Sequence, residues 1–331
     1  MAGSNASHNT QLGENKNLCL NLVLYLVQGG FISLNSLVAV AIVRHKLLRQ
    51  KKEYILICAL AMVDAVTGFA MVSAGVGRLW LLMNDLAFEL VDRLDCLLTP
   101  WNFFFLVTDH MTGAMLTLVS LDRLLMVCAP LQYIGWGVSY PFSMLGLLFG
   151  VYGLMISLLV MSLINNPLET NKPRICFTEV IYGPAYYHSV YIQNSMLAVT
   201  SILLYLGVLY KYRRNQISIA PALSKSDLKM EMKKQKRLTV TLGLSCLCTF
   251  VFFVVPMIMK NVMILLDNSD EFMRFFVPLV TVLIGFNPMM NFFLYMHRQK
   301  DIRAGVLCLL YCKRLTATEA TRTLHKSRAA T

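Results

Sequence analysis

The chain has 331 residues, of which 56% are hydrophobic and only 15% are charged, with a formal net charge of +12 and a mean hydropathy of +0.58. A soluble protein of this length needs more charge to cover its surface, so the composition excludes an ordinary soluble domain. No nucleic-acid-binding motif accompanies the basic balance, and nucleic acid is therefore not an expected partner.

Long apolar runs divide the chain, and their only interior charges are Asp64 and Asp109. In chain order the runs are residues 18–43, 54–77, 97–121, 124–168, 180–210, 238–259 and 275–296. Each run can cross a hydrocarbon core of about 30 Å, which takes roughly 20 helical residues. The period-2 alternation of a β-barrel is absent. The sequence predicts an all-α membrane protein with a seven-transmembrane helix bundle over residues 18–296.

The basic residues predict the orientation of this bundle. Of the 30 Lys and Arg residues, 23 lie in the first connection, in the fifth connection, at Arg123 or after residue 296. Positive segments stay cytoplasmic, so we expect a multi-pass cell-membrane protein with an extracellular N-terminal tail, residues 1–17, and a cytoplasmic C-terminus. The same charge favours membrane lipids as partners. The sequon at Asn5 is either an extracellular glycosylation site or a chance match.

Four motifs follow one another in the first, second, third and sixth runs. They are "SLNSLVAV" with Asn35, "CALAMVDA" with Asp64, "SLDRLLMVCAP" with Asp122, Arg123 and Pro130, and "FVFFVVP" with Phe250 and Pro256. Together they resemble the rhodopsin-like (class A) G-protein-coupled receptors, whose third helix ends in Asp-Arg-Tyr. Leu124 replaces the Tyr here, and Val254 stands where the family's sixth helix carries a Trp.

The seventh run resembles the family's Asn-x-x-x-Asn-Pro-x-x-Tyr. In "NPMMNFFLY", Asn287 is the upstream Asn, Asn291 is the motif Asn, Phe292 replaces Pro, and Tyr295 is the motif Tyr. A short amphipathic eighth helix, residues 297–312, and a cytoplasmic tail, residues 313–331, are expected beyond it. The segments "DRLLMVCAPLQY" and "NFFLYMHRQKDIR" look most like nematode serpentine chemoreceptors of the srsx type.

The resemblance implies a receptor that binds an extracellular ligand (a small chemosensory molecule, an amine or a peptide) and activates a heterotrimeric G protein. A transporter or channel would favour internal repeats, and none is seen. An enzyme is not expected, because a zinc-binding HExxH and a nucleophile elbow are both absent. A non-signalling decoy receptor is the other alternative.

The residues that the resemblance assigns to G-protein coupling and activation are Asp122, Arg123, Tyr205, Phe250, Pro256, Asn291 and Tyr295. In that reading Arg123 pairs with Asp122 at rest and extends toward Tyr205 and Tyr295 when helix six moves. The alternative is that Arg123 only reaches to the lipid headgroups.

Asp64 lies in the middle of the membrane, where a carboxylate needs a cation, a proton or polar neighbours. The resemblance supplies Thr112, Asn287 and Asn291 as neighbours, and the four residues together form a candidate sodium site. A protonated, hydrogen-bonded Asp64 is the alternative. No other metal or cofactor is expected.

The candidate ligand pocket is Trp101, Asn102, Phe105, Asp109, Tyr191 and Gln193. Asp109 either anchors a cationic ligand, closes an internal network with His110, or is a buried acid that shares a proton.

Two pairs of cysteines complete the implied sites. Cys96 and Cys176 resemble the family's disulfide between helix three and the second outer loop, although Cys96 is two residues further from Arg123 than usual. Cys308 and Cys312 lie beside basic residues after the seventh run, where either palmitoylation or free thiols are expected.

Overall fold

The computed structural model describes residues 2–165, 172–178, 181, 184–219, 240–241, 243–265 and 270–311. Seven of its helices are long and apolar enough to cross a membrane. We name these segments span 1 to span 7, and they are Asn17–Arg44, Lys52–Met83, Pro100–Cys128, Ser139–Met161, Ile192–Lys211, Gly243–Lys260 and Leu279–Arg298. The predicted seven-helix bundle is confirmed.

Most spans are parts of longer helices. The helices that contain spans 1 to 5 and 7 are Ala2–Ser33 with Asn35–Arg44, Lys52–Met83, Pro100–Cys128, Ser139–Asn165, Pro184–Ile219 and Asp270–Arg298. Short helices at Lys46–Arg49, Arg93–Leu98 and Pro130–Gly135 occupy connections, and Lys300–Leu310 follows span 7. A two-stranded antiparallel sheet joins β1, Leu90–Val91, to β2, Lys172–Pro173.

Spans 1 and 2 approach each other closely because glycines face each other across their contact. A Cβ atom on Gly29 would lie 2.7 Å from the Met71 Cβ atom and 2.8 Å from the Gly68 carbonyl oxygen. Only residues without side chains permit this separation, as is typical of helix contacts in membranes. By contrast, span 4 exposes Leu147, Leu154 and Leu158, which lie on one helical face and mark a lipid-facing surface.

Span 6 contains one π-helical turn, Phe250–Val254, immediately before Pro256. The N–H of Val255 donates to the carbonyl oxygen of Phe250, five residues earlier, and such turns commonly lie near functional sites. The extra residue rotates this part of the helix. As a result, Phe253 is buried against Ala198 and Met257, whereas Phe250 is 43% exposed.

Candidate functional site

At the cytoplasmic end that the sequence predicts for span 3, Asp122, Arg123 and Tyr133 form a buried cluster. The Arg123 Nε atom donates to Asp122 Oδ2 at 2.9 Å, and its Nη2 atom also contacts that oxygen. The Tyr133 hydroxyl lies 3.1 Å from Asp122 Oδ1 and 3.2 Å from Arg123 Nη2. The side chains of Asp122 and Arg123 are each only 2% exposed, so water competes little for these bonds.

Lys52 covers the other face of Tyr133. Its Nζ atom lies 3.7 Å from the centroid of the Tyr133 ring, a cation–π contact, and donates to the backbone carbonyl oxygens of Tyr133 and Trp136. Burial raises the pKa of Tyr133, which keeps its hydroxyl neutral and able to donate. The Pro130–Gly135 helix is therefore fixed against the ends of spans 2 and 3. Sequence reasoning assigned no role to Tyr133 or Lys52, although Tyr133 ends the quoted "DRLLMVCAPLQY".

Two other predicted coupling residues, Tyr205 and Tyr295, are buried in the bundle. Tyr205 is buried and packs directly on Gly243 of span 6, where a Cβ atom would overlap its ring. Tyr295 is fully buried, and its hydroxyl has no hydrogen-bond partner in the described part of the chain. Arg123 bonds to Asp122, which is the pairing that the resemblance assigns to the resting state, and it also bonds to Tyr133.

A further polar contact, which the sequence did not indicate, joins spans 3, 5 and 6. The hydroxyls of Ser120 and Ser201 lie 2.8 Å apart, and the Cys246 sulfur lies 3.7 Å from the Ser120 hydroxyl. All three side chains are buried. The cluster lies about one helical turn from Arg123 and links spans 3, 5 and 6.

In the middle of the bundle, Asn291 Nδ2 donates to Asp64 Oδ2 at 2.9 Å. The Ser245 hydroxyl donates to Asn291 Oδ1, and the Thr249 hydroxyl lies 2.8 Å from Asn287 Oδ1. The predicted Thr112 instead contacts the carbonyl oxygen of Thr108 in its own helix, at 3.2 Å. One carboxylate among amide and hydroxyl oxygens is a donor set that suits a hard cation such as sodium. In this arrangement, however, Asn291 presents an N–H rather than an oxygen to Asp64.

The Lys300–Leu310 helix docks on the connection between spans 1 and 2. The His45 Nε2 atom lies 3.1 Å from the Gly305 carbonyl oxygen. Lys51 Nζ lies 2.9 Å from Asp301 Oδ2, to which the Tyr54 hydroxyl also donates at 3.1 Å. Cys308 is half-buried on this helix. Cys312 and the side chain of Asn5 lie outside the described residues.

At the other end of the bundle, the predicted disulfide between Cys96 and Cys176 is present, with Cα atoms 5.3 Å apart. Asn102 supports it, because its Nδ2 atom lies 2.9 Å from the Cys96 carbonyl oxygen and 3.1 Å from that of Cys176. Asn102 is also completely buried. Although it was assigned to the ligand pocket, its contacts favour a role in holding the outer loop.

Arg78, near the end of span 2 that faces this loop, also holds the loop in place. Its Nε atom donates to the Ile175 carbonyl oxygen at 3.0 Å and its Nη2 atom to that of Cys176 at 2.9 Å. The guanidinium lies 4.8 Å from the centroid of the Phe177 ring and 6.0 Å from that of Trp101. Sequence reasoning counted Arg78 only as a basic residue on the outer side. The signal available was its position in an otherwise apolar helix.

The predicted pocket residues fall into two groups that have different neighbours. Trp101 and Phe105 pack together near Tyr25 of span 1, whose ring centroid lies 6.2 Å from that of Phe105. Gln193 faces the other way and donates to the Tyr152 hydroxyl at 3.0 Å. The side chain of Tyr191 lies outside the described part of the chain.

Asp109 is half-buried, and Asn194 donates to its backbone carbonyl oxygen. The neighbouring His110 contacts the Tyr186 hydroxyl at 2.6 Å through its Nε2 atom. The predicted network between Asp109 and His110 is not among the hydrogen bonds of the described residues.

A bundle of seven apolar helices, closed on one side by a disulfide-linked loop and on the other by a buried Asp-Arg pair, defines a seven-transmembrane receptor. The sequence model of the 7 transmembrane receptor (rhodopsin family) matches residues 34–295, which is most of the chain. The protein therefore belongs to the rhodopsin family of seven-transmembrane receptors, multi-pass membrane proteins that act as receptors rather than as enzymes. The search of curated proteins finds no relative of this chain.

Proposed function

We propose that this receptor binds an extracellular ligand at the end of the bundle that carries the disulfide and activates a heterotrimeric G protein at the opposite end. The N-terminus is then extracellular and the C-terminus cytoplasmic, as the distribution of basic residues favours. The family membership supports a signalling receptor. The two quoted segments around Arg123 and Tyr295 favour a chemoreceptor of the nematode srsx type.

The observation that carries the proposal is the buried position of Arg123. An Arg that only served to anchor the helix end would extend to the headgroups, whereas this one is 1% exposed and holds two partners. If Asp122 or Tyr133 moved away from Arg123, several N–H groups of the guanidinium would become free to donate hydrogen bonds at the predicted cytoplasmic face. A G-protein α-subunit that replaces these partners would bind the open bundle better than the closed one, and so would shift the population toward the open state.

Nucleotide exchange by purified heterotrimers in the presence of the reconstituted receptor tests the coupling. Pools of small molecules and peptides are screened for one that raises the exchange rate. The Arg123→Ala variant should abolish the response, while Arg49→Ala, which removes an exposed Arg from the adjacent inner loop, should leave it intact. A response that survives Arg123→Ala would contradict the proposed role, and surface delivery without any response in any G-protein class would favour a decoy.

Epitope tags placed before residue 17 and after residue 311 test the orientation separately. We expect only the first tag to be accessible on intact cells. Accessibility of the second tag, or of neither tag, would overturn the proposed topology whatever the signalling assay shows.

We further propose that sodium binds near Asp64 and stabilises the resting receptor. The support is the set of oxygen donors on Asp64, Asn287 and Asn291, together with a carboxylate that is 2% exposed. Binding would require the Asn291 amide to turn its oxygen toward the ion. Sodium should then raise the melting temperature of the wild type relative to an equal concentration of choline, and Asp64→Asn should remove the difference. Equal sodium and choline curves for the wild type would end this proposal.

A further inference from the structure

Two ionisable side chains in the outer half of the bundle, Arg78 and Asp109, have no ion-pair partner among the residues that the structure describes. Arg78 is only 5% exposed, and it has hydrogen bonds to two carbonyl oxygens but no carboxylate partner among the residues that the structure describes. A charge buried in a membrane protein is costly and commonly marks a functional site. Because its Nη1 atom has no hydrogen-bond partner in the same part of the chain, the guanidinium retains a donor for an incoming anion.

Asp109 is the second such charge. Its carboxylate forms no hydrogen bond or ion pair within the described ranges, although the residue is half-buried. Trp101 and Phe105 precede Asp109 by eight and four residues, so the three lie on broadly one face of span 3. The Arg78 guanidinium lies 6.0 Å from the centroid of the Trp101 ring. The two charges therefore flank one aromatic region, formed by Tyr25, Trp101 and Phe105.

Trp101 provides an independent indication of a binding site. Its indole Nε1 atom is buried and has no acceptor among the described residues, and the side chain is 9% exposed. The six-membered ring of the indole packs on Gly77, so the N–H lies on the opposite edge of the indole, and the Arg78 guanidinium lies 6.0 Å from the ring centroid. A buried N–H without an acceptor is uncommon and needs an explanation. An anion at Arg78 would supply that acceptor.

The spacing of the charges restricts the ligand. Asp109 follows Trp101 by eight residues, which corresponds to about 12 Å along span 3 at roughly 1.5 Å per residue. The charges of a single amino acid are only about 3 Å apart and cannot reach both ends, whereas an extended tripeptide spans roughly 10 Å. The aromatic side chains between the two charges suit apolar ligand side chains.

We infer that the outer pocket binds a short peptide of about three residues with both ends free, its carboxylate at Arg78 and Trp101 and its ammonium group at Asp109. This inference rests on the proposed receptor function for its biological meaning but concerns binding alone. It assigns Arg78 a second role beside holding the disulfide-linked loop.

Thermal unfolding of the full-length purified receptor in detergent tests the inference without a G protein. The probe is a pool of free tripeptides with apolar and aromatic side chains. The same pool is also prepared with acetylated N-termini and, separately, with amidated C-termini. We expect the free pool to raise the melting temperature and either blocked pool to have a smaller effect. Pools of single amino acids and of free pentapeptides should also have smaller effects.

Variants then assign the two ends of the peptide. Asp109→Asn should weaken binding of the free pool about 10- to 100-fold and remove the difference between free and acetylated peptides. Trp101→Phe removes the N–H while keeping an aromatic ring, and it should weaken only the peptides with a free carboxylate. Arg78→Lys keeps the positive charge and should retain part of the preference for a free carboxylate, whereas Arg78→Gln should lose it.

The outcomes separate this inference from the receptor function. Stabilisation that requires both free ends supports the binding mode even if no nucleotide exchange follows, in which case only the proposed coupling fails. Equal stabilisation by free and blocked pools, or none by the free pool at millimolar concentration, overturns the inference. Exchange stimulated by a ligand of another class would then leave the proposed function standing.

Discussion

The charged side chains at the two ends of the bundle differ in their partners. At the end predicted to be cytoplasmic, Asp122 and Arg123 bond to each other, and Tyr133 bonds to both of them. At the outer end, Arg78 has backbone carbonyls and aromatic rings as its contacts, and Asp109 has no side-chain partner among the described residues. Among the described residues, the inner charges therefore pair with each other, whereas Arg78 and Asp109 have no ion-pair partner.

This difference indicates what each end can do. A satisfied cluster stabilises one conformation, so a partner must supply equivalent contacts before that cluster opens. Unsatisfied groups at the outer end raise the free energy of the unliganded state, and a ligand that satisfies them gains that difference. The free energy of ligand binding at one end can therefore offset the free energy needed to open the cluster at the other end. Coupling between two sites requires such a link.

Removing the disulfide between Cys96 and Cys176 should have the largest effect on stability. The disulfide closes a separation of 80 residues, and its loss by Cys96→Ser should cost about 4–5 kcal/mol of unfolding free energy. The outer loop would then leave Arg78 without its carbonyl partners. We expect a lower melting temperature and reduced surface delivery.

Cys128→Ser is the control for this substitution, because Cys128 is exposed and free. It should behave as wild type. A Cys96→Ser receptor as stable as the control would mean that hydrogen bonds from Arg78 and Asn102 suffice to hold the loop.

Spans 1 and 2 extend from one end of the bundle to the other, so their contact supports both ends. Gly29→Ala would place a Cβ atom 2.8 Å from the backbone nitrogen of Val72, where no flexible side chain can yield. We expect a loss of about 1–3 kcal/mol in unfolding free energy. Gly30→Ala is the matched control, since a Cβ atom there has nothing within 4 Å. Similar melting temperatures for the two variants would show that the spans separate at little cost.

Removing one hydroxyl from the inner cluster should have a moderate effect. Tyr133→Phe keeps the ring under Lys52 but loses the bonds to Asp122 and Arg123, so the closed state should lose about 1 kcal/mol, or roughly a fivefold change in population. Agonist-free nucleotide exchange should rise accordingly. Tyr140→Phe removes a buried hydroxyl that has no hydrogen-bond partner among the described residues, and it should not raise exchange. Equal rates of agonist-free exchange in the two variants would show that the Tyr133 hydroxyl does not stabilise the closed state.

The spans were predictable because membrane thickness fixes their length. The first run, residues 18–43, lies within the helices Ala2–Ser33 and Asn35–Arg44, and it ends where the charge of Arg44 closes the apolar stretch. The disulfide between Cys96 and Cys176 followed from the family resemblance. These features depend on local composition or on a motif, and both are present in the sequence itself.

The contacts of individual polar side chains were not predictable in the same way. Arg78 bonds to Ile175 and Cys176, which are 97 and 98 residues away, and no periodicity encodes that pairing. The burial of Phe253 instead of Phe250 depends on a single π-helical turn, which shifts the helical register by one residue. Both features arise from tertiary packing, whereas the motifs gave only the spans to which these residues belong.

Two surface ion pairs provide the smallest and most controlled comparison of the two ends. At the inner end, the Lys51 and Asp301 side chains are 33% and 22% exposed, and the Tyr54 hydroxyl adds a bond to the same carboxylate oxygen. At the outer end, the Arg174 and Glu89 side chains are 44% and 50% exposed. Exposed pairs contribute about 0–1 kcal/mol, and the contribution grows as water is excluded and hydrogen bonds are added.

Asp301→Asn should therefore lower the unfolding free energy by about 1 kcal/mol and loosen the Lys300–Leu310 helix, while Glu89→Gln should change it by less than about 0.5 kcal/mol. Thermal unfolding measured at low and high salt checks both values, because screening should reduce the loss at Asp301. Equal effects at the two ends would mean that Tyr54 and partial burial add nothing to the inner pair. In that case the contrast between the ends would hold only for Asp122 and Arg123 at one end and Arg78 and Asp109 at the other.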